Sequence, residues 1–223
     1  MAPFPGGQPH ATHGNGWQLS WSVTERSALS CAISLDHAAA SPDWPYVFRA
    51  TQRFTLSETS LRVDLELENR DYRAMPAGLG WHPYFPLRAN TKLAFSASSV
   101  WQTDSELLPT SKVPVPEKWN FTKSKSVAGT RLNHCFTDWS RQAQIAIDTH
   151  LPQLTLAASG EFSSAIVYAP EGSDFFAFEP VTHMPDAISR PEATVGEAMT
   201  TLQLGERLAG AIELTVHQGL LGH

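Results

Sequence analysis

Three short segments place ionisable side chains among glycines and aromatic residues, where surface polarity is out of place. Glu179 closes the run Phe175-Phe176-Ala177-Phe178. A carboxyl in such surroundings is held toward its neutral form, which lifts its pKa from about 4.3 toward that of a working general base. The competing reading is an acid at a strand end that reaches water, and position alone does not separate the two. His82 sits in Gly78-Leu79-Gly80-Trp81-His82-Pro83-Tyr84-Phe85. An imidazole near neutral pH can deliver a proton to an oxygen. An isolated histidine is more often a core residue with a satisfied hydrogen bond. His13, in Thr12-His13-Gly14-Asn15-Gly16-Trp17, is a weaker candidate alone, and His183 and Asp186 flank a proline turn they could simply cap.

Other chemistries fit poorly. The chain has no G-x-S-x-G elbow, no phosphate-binding G-x-x-x-x-G-K-[ST] loop, no C-x-x-C and no H-E-x-x-H. Scattered histidines plus a carboxylate could in principle hold Zn²⁺, but the nine His include no H-x-H pair. No metal and no cofactor is expected. Two cysteines, Cys31 and Cys135, are too few for a disulfide scaffold and read as small buried hydrophobes.

The elements that must position these groups read as β from end to end. Leu61 to Glu68 alternates apolar and charged residues, the pattern of a strand with one wet face. Tyr46 to Leu56 precedes it as a second long strand, joined through the polar link Ser57-Glu58-Thr59-Ser60, which suits a hairpin. Further strands are expected at 18–23, 30–35, 92–96, 144–148, 153–158, 165–168, 175–178, 200–204 and 211–216, with prolines between them. No sustained helical stripe is present, so an all-β antiparallel sandwich in one domain, 1–223, is predicted. The stretch 107–131 reads as one long surface loop.

Charge and composition narrow the partners. Sixteen Lys and Arg against 22 Asp and Glu give a net charge of −6, with no basic cluster to meet nucleic acid or an anionic membrane. No apolar stretch approaches the ~18 residues of a membrane span. The opening MAPFPGGQPH has neither a charged nor an apolar leader region, so a cytoplasmic protein, monomer or homodimer, is expected.

Taken together, the three segments resemble the aldose 1-epimerase (galactose mutarotase-like) family. Gly80-Trp81-His82-Pro83-Tyr84-Phe85 is similar to its His-x-Tyr-Phe signature, Phe178-Glu179-Pro180-Val181-Thr182-His183 to its catalytic-glutamate segment, and His13-Gly14 to its early His-Gly element. Order and rough spacing agree from His13 onward. The resemblance implies a β-supersandwich and cofactor-free interconversion of the α and β anomers of an aldose. It implies Glu179 as base, His82 as acid, and His13 on the sugar hydroxyls or ring oxygen. Trp17, Trp81, Tyr84 or Phe178 would supply a stacking wall. Asn133, in Leu132-Asn133-His134-Cys135-Phe136, stands where the family's sugar-binding motif usually has Asp. Family members carry further strands and an Asn-Arg pair ahead of the His-Gly element. Only twelve residues precede His13 here, so an N-terminally short domain lacking that arginine is expected.

Rival readings remain at this stage. A hexose-6-phosphate 1-epimerase would need a cationic clamp, and Arg73, Arg88 and Arg190 are near the motifs without clustering. A non-catalytic sugar-binding or sensing sandwich would keep the fold without turnover. A fragment needing a partner strand to fold is the third.

Overall fold

The computed structural model describes residues 10–38, 44–190 and 193–217. The first nine of the ten residues on which the leader reading rests lie outside these, as do Pro42 and Pro191. Two antiparallel sheets face each other. The larger has nine strands in the order β1 (Ser22–Arg26), β2 (Ser30–His37), β3 (Phe48–Leu56), β4 (Ser60–Asn69), β17 (Arg207–His217), β13 (Gln153–Ala158), β12 (Gln142–Ala146), β7 (Lys92–Ala94), β10 (Lys125–Ser126). The smaller has six: β6 (Tyr84–Pro86), β15 (Phe175–Val181), β14 (Ser164–Ala169), β11 (Leu132–Thr137), β8 (Ser99–Thr103), β9 (Pro109–Pro114). A short pair, β5 (Met75–Ala77) and β16 (Thr200–Leu202), lies apart.

Alternation explains the packing. In β4, Val63 and Leu65 are buried while Arg62, Asp64 and Glu66 face outward, where Arg62 pairs with Asp64 at 2.6 Å and Arg207 with Glu66 at 3.3 Å. Ser57 turns β3 into β4 by accepting the Ser60 backbone N–H at 2.9 Å on its hydroxyl oxygen. Ser27 does the same for Ser30 at 3.0 Å between β1 and β2. The core between the sheets is aromatic: Phe95, Phe121, Phe136, Phe178 and Trp139 interlock, and the Trp139 indole N–H donates to the Phe162 carbonyl at 2.8 Å. A buried donor so satisfied has its desolvation cost offset by the bond.

Three expectations need correction. The stretch 107–131 is no single surface loop: it holds β9, a 3-10 turn at Glu117–Trp119 and β10, and it buries Phe121 and Val127. Its strands escape pattern reading because β9 is an edge strand, bounded by prolines, with Thr110, Ser111 and Lys112 exposed. The first strand begins at Ser22 rather than 18, after a 3-10 turn over Gly16–Gln18. Cys31 is only half buried, whereas Cys135 is buried and its thiol is pushed up to about 12, which makes it inert. At the open edge, all five residues of β1 are exposed, and a bulge between Val23 and Glu25 breaks its register. Among the described residues no helix is long and apolar enough to cross a membrane.

Candidate active site

The outer face of the six-stranded sheet carries the candidate chemistry. Because side chains alternate, β15 sends Phe176 and Phe178 into the core and Phe175, Ala177 and Glu179 to the outer face. Glu179 is nonetheless only 6% exposed. Its row across the sheet continues through Ile166 on β14 and Cys135 on β11. Cys135, Met184 and Ala187 form a second apolar cluster, with Ile166 and Trp101 packed against it. Met184 and Ala187 therefore pack against the row that continues from Glu179.

His82 is delivered by a run that extends the sheet beyond β15. Trp81 N–H donates to the Pro180 carbonyl at 3.1 Å, Thr182 N–H to the Leu79 carbonyl at 2.9 Å, and Leu79 N–H to the Thr182 hydroxyl at 2.9 Å. Glycine is required at Gly78, where a Cβ would lie 2.1 Å from Cδ2 of the half-buried His183 ring. These bonds set His82 Nε2 at 3.3 Å from Glu179 Oε1. Tyr84 stacks on the imidazole with centroids 4.5 Å apart, and its hydroxyl is 3.4 Å from the same Nε2. On the other side, His13 meets His82 edge-on at 5.1 Å and Trp17 meets His13 at 6.3 Å. Consecutive left-handed residues, His13 (φ 63) and Gly14 (φ 66), make that approach.

Burial sets the protonation of the pair. Desolvation raises Glu179 to about 8, so its neutral form is favoured at neutral pH. Desolvation, then the nearby His13, lowers His82 to about 4. Desolvation also lowers His13, although that ring stays exposed at the surface. Together Glu179 and His82 hold one proton across a 3.3 Å contact through the neutral range.

Five of the six site candidates thus assemble: Glu179, His82, His13, Trp17 and Tyr84. Asn133 lies two strands from β15, in the row Tyr84–Ala177–Tyr168–Asn133. One of the four stacking candidates is excluded: Phe178 is fully buried on the core side, whereas Trp81 is half buried and packs against the core cluster. His183 and Asp186 are structural: His183 bonds the Met184 carbonyl at 2.8 Å, and Asp186 pairs with Arg190 at 3.3 Å without capping the turn. Sequence reading missed Phe175 and Tyr168, whose rings meet at 6.3 Å beside Tyr84. Strand alternation carried through to cross-strand register was the signal that would have placed them here. Arg73 pairs with buried Asp71 at 2.9 Å, Arg88 with Asp148 at 3.4 Å, and Arg190 with Asp186, so each nearby arginine already has a carboxylate. Among the described residues no group of three or more His, Cys, Asp or Glu could hold a metal ion. Cavities of about 310 and 200 Å³ are lined by neither Glu179 nor His82.

A family model described as aldose 1-epimerase matches residues 2–215. Two uncharacterised Escherichia coli proteins are similar. YphB is 27% identical over 93% of this chain and 72% of its own length, and YihR is 29% identical over 67% and 49%. A crystal structure from Escherichia coli K12, provisionally assigned as an aldose 1-epimerase, superposes with a TM-score of 0.82 at 27% identity, covering 92% of this chain and 71% of that one. A galactose mutarotase-like protein from Clostridium acetobutylicum gives 0.79 at 16% identity over 89% and 67%, a likeness of fold alone. With the family match spanning nearly its whole length, the chain belongs to the aldose 1-epimerase family.

Proposed function

We propose that the chain interconverts the α and β anomers of an uncharged aldose, with Glu179 and His82 moving the protons. The observation that carries this reading is the buried Glu179 carboxyl 3.3 Å from the half-buried His82 ring. Ring opening needs a base on the C1 hydroxyl and an acid on the ring oxygen. The proton leaves O1, another reaches the ring oxygen, the C1–O bond breaks and an aldehyde forms. Rotation about C1–C2 and the reverse steps close the ring on the other face. Proton count is unchanged, so a pair holding one proton suffices. Shifting that proton from Glu179 to His82 produces the carboxylate base and imidazolium acid without adding net charge. Each proton-transfer group contributes about 10²–10⁴-fold. His13 and Asn133 would bind hydroxyls, with Tyr84 and Trp17 as apolar wall.

The pairing of Arg73, Arg88 and Arg190 with carboxylates favours an uncharged sugar over a phosphorylated one, because a phosphate would have to break a pair to be clamped. Saturation-transfer NMR between the anomeric protons of glucose, galactose and glucose-6-phosphate tests the reading. Exchange above buffer for a neutral hexose, and slower for the phosphate, is expected. No enhanced exchange on any sugar, from protein that unfolds cooperatively, overturns the enzyme and leaves a sugar-binding role.

A further inference from the structure

We propose that Tyr168 contacts the substrate and, with Asn133, reads the hydroxyls on the side of the sugar ring away from the anomeric carbon. This deepens the epimerase reading and rests on it. Tyr168 pairs with Ala177 across β14 and β15 and with Asn133 across β14 and β11. Glu179, two residues along β15 from Ala177, is therefore its diagonal neighbour on the same face, about 7–8 Å away by backbone. Asn133 stands one strand further, about another 4.8 Å. A pyranose whose C1 lies at His82 and Glu179 extends over this row.

The polar groups of that face divide into three kinds. The Glu197 carboxylate is saturated: it accepts from Trp101 Nε1 at 3.1 Å, Lys112 Nζ at 3.1 Å and the Thr194 hydroxyl at 2.7 Å. Thr182 is matched to Leu79. The Thr137 and Ser164 hydroxyls are sealed from solvent, so a ligand does not reach them. The Tyr168 hydroxyl and the Asn133 amide are half buried and, among the described residues, accept or donate no side-chain hydrogen bond. Such groups beside an apolar wall are poised to exchange water for sugar hydroxyls. Phe175 holds the Tyr168 ring at 6.3 Å, fixing its place without consuming its hydroxyl.

Tyr168→Phe keeps the ring packing and removes only the hydroxyl. Anomer exchange of the 4-epimers glucose and galactose is compared in wild type and variant. A KM increase of about three- to tenfold with kcat little changed, and a shift of the glucose to galactose preference, are expected from one lost neutral hydrogen bond. The pH limbs of activity stay in place. Unchanged KM and preference in the variant overturn the proposal. Should wild type turn over neither sugar, the epimerase reading fails, and ligand-observed NMR binding of both sugars decides for Tyr168. Weaker binding by the variant keeps the contact; equal binding, or none by wild type, overturns it.

Discussion

Glu179→Gln should flatten the fall of stability above pH 6.5. In the unfolded chain Glu179 titrates near 4.5, and in the folded chain near 8. The folded state therefore holds an extra proton between those values, and each pH unit of rise costs the fold about 1.4 kcal/mol. His82 works the other way. Its folded pKa lies below its unfolded 6.5, so it adds stability as pH rises toward 6.5 and offsets Glu179 over that window. Above 6.5 the His82 offset fades, and through Glu179 the remaining rise to 8 costs roughly 2 kcal/mol. Glutamine keeps the shape of the neutral acid and never ionises. Urea unfolding followed by tryptophan fluorescence at pH 6.5 and 8 measures both proteins, and the other histidines cancel in the difference. Wild type should lose roughly 2 kcal/mol more than the variant across that interval. Parallel losses would refute the claim that the fold holds Glu179 neutral.

Other outcomes follow from the same geometry. The pH profile of kcat/KM should be a bell whose limbs, near 4 and near 8, belong to the Glu179–His82 pair, read by exchange NMR across pH 3.5–9. Gly78→Ala drives a Cβ to 2.1 Å from the His183 ring, so about 1–3 kcal/mol of stability should go and exchange should fall as His82 shifts; thermal unfolding and activity measure the two. Phe121→Ala should cost about 3–5 kcal/mol by denaturant titration, as a core aromatic does, although the residue lies in a stretch that reads as loop.

How far the sequence foretells the molecule depends on what kind of signal each residue leaves. Leu61 to Glu68 announces β4 because one face is wet and one dry, and the Ser57 to Ser60 turn is legible because its serines cap their own backbone. Strands β5, β6 and β10 have two or three residues each, too few for an alternation to register. The site is similar. An acid after Phe-Phe-Ala-Phe and a histidine among glycines stand out by chemistry, whereas Tyr168 looks like any strand tyrosine until register sets it diagonal to Glu179. The exclusion of Phe178 follows from parity: it neighbours Glu179 in the chain and therefore faces the opposite way.

Glu179 and His82 act, on this reading, as one proton-transferring pair on a sugar. Anomer exchange on the better neutral hexose, measured near pH 6 for wild type, Glu179→Gln and His82→Ala at matched concentration of folded protein, tests it most directly. Each variant should lose at least about 10²-fold in exchange rate while still unfolding cooperatively. Variants that exchange as fast as wild type would contradict it.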